Sequence, residues 1–421
     1  MTTLIELHDR NIRISSPDGV LLESPGFANT ASNPPVYGEE ALKLTRLHPQ
    51  QSFSQFWLQL SLDPLVHKNK LFRHQADLAY AHLNTLIQEL NLEGEAVFAV
   101  PSHYNASQLA TLLGLAKHCP LEPAGLVDIS LLALSSLQEH QQAVFIDIQL
   151  YQTVLTRVSR EQGEIVRERV IPIPGTGLLA LHDCWSNAIT DAFIKQSRFD
   201  PQHNADTEQY IYNELENWLQ KVSLNQEILL EINNKGTVHQ ASLTLKNFEQ
   251  RAQNIYKRIS QELSALVDEN TPVYVLDRFA TLPGLSQELP GLIGVNDERI
   301  GESAYHNLDL IRSSGEALRL IARLPVHETP QKTRSSENRE ARPSHFLYRH
   351  RAYALPDLNL PALKLADPIK VSLQEQGYCL HNNPKLDLQL NGAPLTESVI
   401  LKLGDSLTVN QDATIEFIQV R

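Results

Sequence analysis

The sequence predicts a mixed α/β body, interrupted by an inserted subdomain and followed by a small all-β domain. Three patterns carry that expectation. Apolar runs of strand length alternate with helical periodicities through the first half of the chain, which implies parallel strands joined by crossover connections. A helix-rich stretch with short strands of its own, at about residues 179–270, breaks that alternation. After a polar segment at residues 326–343, the pattern over residues 344–421 becomes one of short strands and turn signals.

Taken in order, Leu4-Ile5-Glu6-Leu7 and Ile12-Arg13-Ile14 alternate apolar with polar, and the turn Ser16-Pro17-Asp18-Gly19 precedes Val20-Leu21-Leu22. These residues predict a β-hairpin at the amino terminus. Leu78, Ala81, Leu83, Leu86, Ile87 and Leu90 recur at helical spacing from Gln75 onward. A buried strand, Ala96-Val97-Phe98-Ala99-Val100, stops at Pro101. Next come a helix from about Ala106 to His118, a short strand near Gly125, a second helix to Leu137 and the strand Ala143-Val144-Phe145-Ile146-Asp147-Ile148. Two further strands, from Thr153 and from Glu164, run up to Pro174-Gly175-Thr176-Gly177. In the insertion, helices beginning near Leu179, Ala205 and Leu245 accompany a strand pair around Ile228 and Ala241. The strand Val273-Tyr274-Val275-Leu276 leads into an expected turn from Asp277 to Pro283. The stretch from His327 to Pro343 has almost no apolar residues, so it cannot bury enough surface to offset its ordering entropy and reads as a flexible linker. Beyond it, the turn Asn391-Gly392-Ala393-Pro394 separates short strand patterns.

Composition narrows the function. The 421 residues are 42% hydrophobic and 20% charged, enough for one large two-lobed domain or two to three smaller ones. No window approaches the ~18 consecutive apolar residues of a membrane span, and Met1-Thr2-Thr3-Leu4 begins no signal pattern, so a cytoplasmic protein is expected. The net charge of -13 argues against sequence-blind nucleic-acid binding, which needs a basic face to displace counterions. Cys119, Cys184 and Cys379 lie far apart, without metal-ligand spacing, and the sixteen histidines form no H-x-x-x-H pair with a glutamate between them. No metal site is expected, and the acidic surface favours protein partners carrying some basic surface.

A family resemblance emerges from the order of several segments. Val36-Tyr37-Gly38-Glu39-Glu40-Ala41, Ala96-Val97-Phe98-Ala99-Val100-Pro101-Ser102-His103-Tyr104-Asn105 and Thr244-Leu245-Lys246-Asn247-Phe248-Glu249 resemble, in sequence and spacing, segments of DnaK-type heat-shock chaperones. These chaperones belong to the actin-like ATPase superfamily. The resemblance covers roughly residues 1–325 and implies a two-lobed actin/DnaK-type fold around a nucleotide cleft. It also implies two glycine-rich hairpin loops whose backbone N–H groups approach the phosphates with no Cβ in the way, beside carboxylates that position metal and water.

This chain departs from that pattern at each loop. The first loop corresponds to Glu6-Leu7-His8-Asp9-Arg10-Asn11, in which His8 replaces a glycine, and the second to Asp147-Ile148-Gln149-Leu150-Tyr151-Gln152, in which three glycines are lost. The adenosine loop corresponds to Asp277-Arg278-Phe279-Ala280-Thr281-Leu282-Pro283, again without its glycines. The adenine-facing helix corresponds to Glu216-Asn217-Trp218-Leu219-Gln220-Lys221-Val222-Ser223, with Leu219 and Gln220 where the family has a cationic pair. Glu6, Asp128 and Asp147 keep carboxylates at the family's acidic positions and are the catalytic candidates if the protein is active. His8, Asp9, Gln149, Leu150, Gly175, Thr176, Gly177, Asp277 and Arg278 are the corresponding cleft positions.

Two readings follow. In the first, the chain is a catalytically silent pseudo-ATPase that binds no cofactor and serves as a protein-interaction or assembly scaffold. The alternative is a divergent ATP-dependent chaperone or assembly ATPase, using ATP with Mg. A metal held by Asp9, Asp128 and Asp147 without nucleotide is a lesser possibility, and a sugar-kinase-like enzyme lacks an identifiable substrate base. In residues 344–421, Leu388-Gln389-Leu390-Asn391-Gly392 and Leu403-Gly404-Asp405 resemble the last strands of a forkhead-associated β-sandwich, although no equivalent of its phosphate-binding Arg and Ser is found. An ordinary hairpin in a docking module is the other reading of that region.

Overall fold

The computed structural model describes residues 2–65, 67, 69–135, 140–268, 270–312, 318–326, 343–348, 351–355, 369–374, 377–383, 385–391, 393–395, 398–409 and 413–418. The first of these residues form a three-stranded meander. β1 (Thr3–Glu6), β2 (Ile12–Ser16) and β3 (Gly19–Ser24) are antiparallel neighbours, with Ile5 opposite Ile14. A small sheet of β4 (Ala28–Asn29), β5 (Val36–Tyr37) and β6 (Ser52–Phe53) follows, with α1 (Gly38–Leu42) between its last two strands. The chain returns through α2 (Gln75–Glu89), whose Leu78, Leu83, Leu86 and Ile87 bury one face. β7 (Gly94–Val100) then lies parallel to β1. Pro101 ends that strand, and Asn105 caps α3 (Ala106–Ala116) by accepting a hydrogen bond from Gln108 N at 3.0 Å. β8 (Leu121–Asp128) adds parallel to β7 and runs directly into α4 (Ile129–Leu134), whose residues are all buried.

The same plan then repeats. β9 (Gln142–Ile148), β10 (Gln152–Glu161) and β11 (Glu164–Pro174) form a second antiparallel meander. The insertion comprises α5 (Leu178–Ser197), α6 (Ala205–Asn225), the hairpin β12 (Glu227–Asn234) and β13 (Thr237–Thr244), and α7 (Leu245–Leu263). Its core includes Trp185, fully buried, whose indole N–H donates to Phe248 O at 3.1 Å. β14 (Val273–Leu276) lies parallel to β9. Where the sequence predicts only a turn, Asp277–Ala280 forms a single helical turn, α8, before α9 (Leu285–Glu288). β15 (Leu292–Val295) is parallel to β14 and leads into α10 (Glu298–His306) and α11 (Leu308–Ile311).

Each of these two six-stranded sheets thus contains one five-strand unit in the order 3-2-1-4-5, with its second strand the only antiparallel member: β3-β2-β1-β7-β8 and β11-β10-β9-β14-β15. The sixth strands come from one strap near the end of this unit. β16 (Leu320–Ile321) pairs parallel with β8, and β17 (Arg323–Pro325) pairs antiparallel with β11. Only Ala322 separates them, and its carbonyl accepts from Arg167 N at 3.1 Å. Residues 1–328 form one compact unit and residues 329–421 another.

In the second unit β18 (His345–Tyr348), β19 (Arg351–Ala354), β20 (Val371–Gln374), β21 (Gly377–Leu380), β22 (Leu388–Leu390), β23 (Ala393–Pro394), β24 (Val399–Ile400), β25 (Ser406–Val409) and β26 (Ala413–Ile418) make two sheets. Their strand orders are β19-β18-β26-β25-β22-β23 and β20-β21-β24. Phe346, Leu380, Leu407, Ile415 and Phe417 form the centre of its core. Asn391 takes the left-handed conformation at φ 53°, and its side chain bonds Asp405 Oδ1 at 2.8 Å and Ser406 N at 2.9 Å, closing the turn there. Residues 327–342, most of the expected linker, and Gly392 of the expected turn lie outside the described residues. No described helix is long and apolar enough to cross a membrane.

Candidate functional site: the cleft between the two repeats

Two hairpin turns meet in the cleft. The turn between β1 and β2 carries His8, Asp9 and Arg10, and is closed by Asn11 N donating to His8 O at 2.8 Å. Gly26 supports it from behind: its N–H donates to Asp9 O at 2.9 Å, and a Cβ there would come within 2.3 Å of that oxygen. The turn between β9 and β10 carries Gln149, Leu150 and Tyr151, and Gln149 N donates to Gln152 O at 2.9 Å.

Gly175, Thr176 and Gly177 hold that second turn instead of opening toward a ligand. Gly175 N donates to Tyr151 O at 2.8 Å. Thr176 Oγ1 donates to Ile173 O at 2.7 Å and accepts from Thr153 N at 3.1 Å. A Cβ on Gly177 would meet Gln149 O, Leu150 O and Gln152 N, each at 2.5 Å. Close backbone approach explains this glycine without a phosphate.

The two turns are bonded to each other across the cleft. His8 Nε2 donates to Asp147 Oδ1 at 2.6 Å, and Leu150 N donates to Asp9 Oδ1 at 2.9 Å. Gln149 Nε2 takes the other Asp147 oxygen at 2.7 Å and lies 3.4 Å from His103 Nδ1. His8, Asp9, Asp147 and Gln149 are all buried. Burial raises the Asp147 pKa, but the His8 imidazole and the hydrogen bonds from His8 and Gln149 outweigh it and hold the carboxyl below its ordinary value. Asp9 goes the other way: burial pushes it up to about 6, against the opposing pull of His8 and Leu150 N–H. Its Oδ2 is buried with no hydrogen-bond partner. Burial likewise pushes Glu6 up to about 7, although Arg13 and Arg278 pull it down, and depresses His103 to about 4.

The remaining sequence-predicted residues are distributed around this centre. Asp128 caps α4 and is saturated. Its Oδ1 accepts from Ser102 Oγ at 2.7 Å, Ser130 Oγ at 2.7 Å and Ser130 N at 2.9 Å, and its Oδ2 accepts from Arg167 at 2.6 Å. Asp277 packs against Gly294, where a Cβ would lie 2.0 Å from its Oδ1. Arg278 pairs with Asp297, Nε to Oδ1 at 3.0 Å. Asp9, Asp128 and Asp147 therefore converge on no metal, and among the described residues no group of three His, Cys, Asp or Glu side chains could hold one.

Phe279, Arg167 and Arg46 complete the closure, and no sequence motif singled out the last two. The buried Phe279 ring stacks with His8 at 6.4 Å between centroids and has the guanidinium groups of Arg10 and Arg278 at 5.4 and 5.7 Å. Arg46, just after α1, bonds Asp183 of α5 at 3.0 Å and Glu208 of α6 at 3.5 Å, and lies 3.8 Å over the Tyr212 ring. Its backbone N–H also donates to Gln209 Oε1 at 2.7 Å. Such an arrangement can keep two lobes together, and protein donors already engage both oxygens of Asp147 and of Asp128 and one oxygen of Asp9. No family model matches this chain, and no curated protein matches it.

Proposed function

We propose that the chain is a degenerate DnaK-type protein of the actin-like ATPase superfamily that acts as a protein-interaction or assembly scaffold without turning over ATP. The repeated 3-2-1-4-5 strand order supports the two-lobed part of this reading, since each repeat delivers its first hairpin turn to the same cleft. The functional part is carried by one observation: His8 on the first turn is bonded to Asp147 at the base of the second, at 2.6 Å. Phosphate binding at such turns needs open backbone N–H groups and room for oxygens. Here an imidazole, a glutamine amide and a carboxylate take that room. Residues 344–421 act as a second contact module with forkhead-associated-like last strands, and tethering two modules raises the effective concentration of the second contact.

The test is phosphate release by the full chain under saturating ATP and Mg. The expected result is no release above the protein-free rate, for wild type and for Asp147→Asn alike. Turnover by wild type that Asp147→Asn abolishes would replace the scaffold with a divergent ATP-dependent chaperone or assembly ATPase, in which Glu6, Asp128 and Asp147 handle Mg and water.

A further inference from the structure

The two repeats are built alike, but their edges are not covered alike. In the second sheet β17 lies on the outer edge of β11, pairing Leu324 with Ile165 and Arg323 with Val166. Ile165 is 6% exposed and Leu324 0%, both within the main core. Arg323 also reaches Glu164, Nη1 to Oε2 at 3.2 Å. The equivalent strand of the first sheet is β3, and among the described residues no strand lies on its outer edge. The hairpin registers fix the equivalence, because Ser16 pairs with Gly19 as Glu161 pairs with Glu164. Val20 therefore stands where Ile165 stands, and Val20 and Leu21 are 47% and 46% exposed. The strap's other contact shows the same asymmetry: β16 covers β8, whereas among the described residues no strand covers its counterpart β15, and Ile293 is 41% exposed.

We propose that the outer edge of β3 docks an extended segment of a partner protein as an added antiparallel strand, apolar opposite Val20 and basic beside it. An edge strand offers a row of unpaired N–H and C=O groups, and proteins usually blunt such an edge with lysine or proline inside the strand. Gly19-Val20-Leu21-Leu22-Glu23-Ser24 contains neither. The register shift between Ile14 and Ser15 makes Leu21 the extra residue of β3, whereas in β11 the extra residue is Glu168, beyond the 164–166 segment that carries β17, so the docked segment pairs ahead of the bulge, at Gly19 and Val20. The chemistry of the segment follows from the internal template, Arg-Leu-Pro, and from charge. The charged positions exposed here are acidic: Asp18 in the turn, Glu39 and Glu40 in α1, whose Gly38 abuts Ser24, and Glu23 in the strand, whose carboxylate Arg13 and Asn11 already hold at 2.6 and 2.8 Å. A second copy is disfavoured by the same charges. Antiparallel pairing of β3 with itself about Val20 and Leu21 would set Asp18 of each copy opposite Glu23 of the other.

The full chain would be titrated with a fluorescent peptide of residues 319–326, Arg-Leu-Ile-Ala-Arg-Leu-Pro-Val, the sequence that already covers β11. Anisotropy would report binding, and hydrogen exchange would locate it. The expected result is saturable binding that weakens with salt, new amide protection within residues 19–24, and an affinity loss of about tenfold or more in the double variant Val20→Lys, Leu21→Lys. Leu224→Lys, at a residue 83% exposed on α6, should change nothing. The proposal is overturned if the peptide does not saturate, if it protects only residues 164–166, or if the double variant binds as well as wild type. It is equally overturned if the amides of residues 19–24 that do not bond β2 are already protected in the free monomer, or if wild type forms a dimer that the double variant abolishes. Should the double variant fail to fold, hydrogen exchange on wild type decides alone.

Discussion

His8 and Asp147 are 139 residues apart in sequence and 2.6 Å apart in the fold. The sequence points to both positions, because each stands where a phosphate-binding loop would begin, but no local pattern says that one would bond the other. Asp128 is similar: a strand-end carboxylate is easy to notice, while its Arg167 partner comes from a strand of the other sheet. Removing one member of a buried pair leaves the other desolvated and unpaired, so His8→Ala should destabilise the protein by about 3 kcal/mol in urea unfolding. A loss under about 1 kcal/mol would mean that the pair contributes little to holding the turns together. Glu6 gives a pH test. Its folded pKa, raised to about 7 from the ordinary 4.5, means that the folded state holds the proton more tightly than the unfolded state. Its ionisation therefore removes stability progressively as pH rises from about 4.5 to about 7. Glu6→Gln should gain on wild type across that window, by up to about 3 kcal/mol at pH 8. The buried His82 and the half-buried His103 and His182, depressed to about 3, 4 and 4, act in the opposite direction and cost stability as pH falls below about 6.5. The difference between variant and wild type, not the wild-type curve alone, is thus the quantity to measure, and a gap that does not widen from pH 5 to pH 8 would contradict the assignment.

At the scale of elements, the strands with long apolar runs were legible: β7, β9 and β14 are buried on both faces, and such runs declare themselves. The helices of the insertion were legible from their period. The sequence pattern does not mark β4, β5, β6, β16 and β17, of two or three residues each, which are too few for any periodicity and exist because a distant strand or turn offers them a partner, nor does it mark β15 and the nine-residue α10 beyond Pro283. The expected turn at Asp277 became a helical turn that brings Phe279 into the cleft. Glycines divide by use. Gly177→Ala would drive a Cβ to 2.5 Å from three backbone atoms of the second turn, so it should cost about 1–3 kcal/mol or more and loosen that turn. Gly114→Ala, within α3 and with nothing within 4 Å of its added Cβ, should instead stabilise by about 0.5–1 kcal/mol. Thermal unfolding of both variants checks the contrast, and equal effects would contradict it.

For the molecule as a whole, the duplication explains why the site lies where it does. Each repeat turns its first hairpin toward the other, and the strap of β16 and β17 pairs with both sheets. Besides the strap, several contacts join the repeats, among them His8 and Asp9 with the second turn, Arg167 with Asp128, Arg46 with α5 and α6, Arg13 with Asp297 and Tyr305 with Ser15. In an actin-like protein that uses nucleotide, lobe closure would depend on the ligand. Under the proposed reading, the bonds between the two turns stand in for that ligand. The most direct test is titration calorimetry of the full chain with ATP and with ADP, each with Mg, at a concentration able to detect a dissociation constant of ~100 μM. The account predicts no saturable heat from either nucleotide; saturable, Mg-dependent heat would contradict it and return Glu6, Asp128 and Asp147 to the role of a working ATP site.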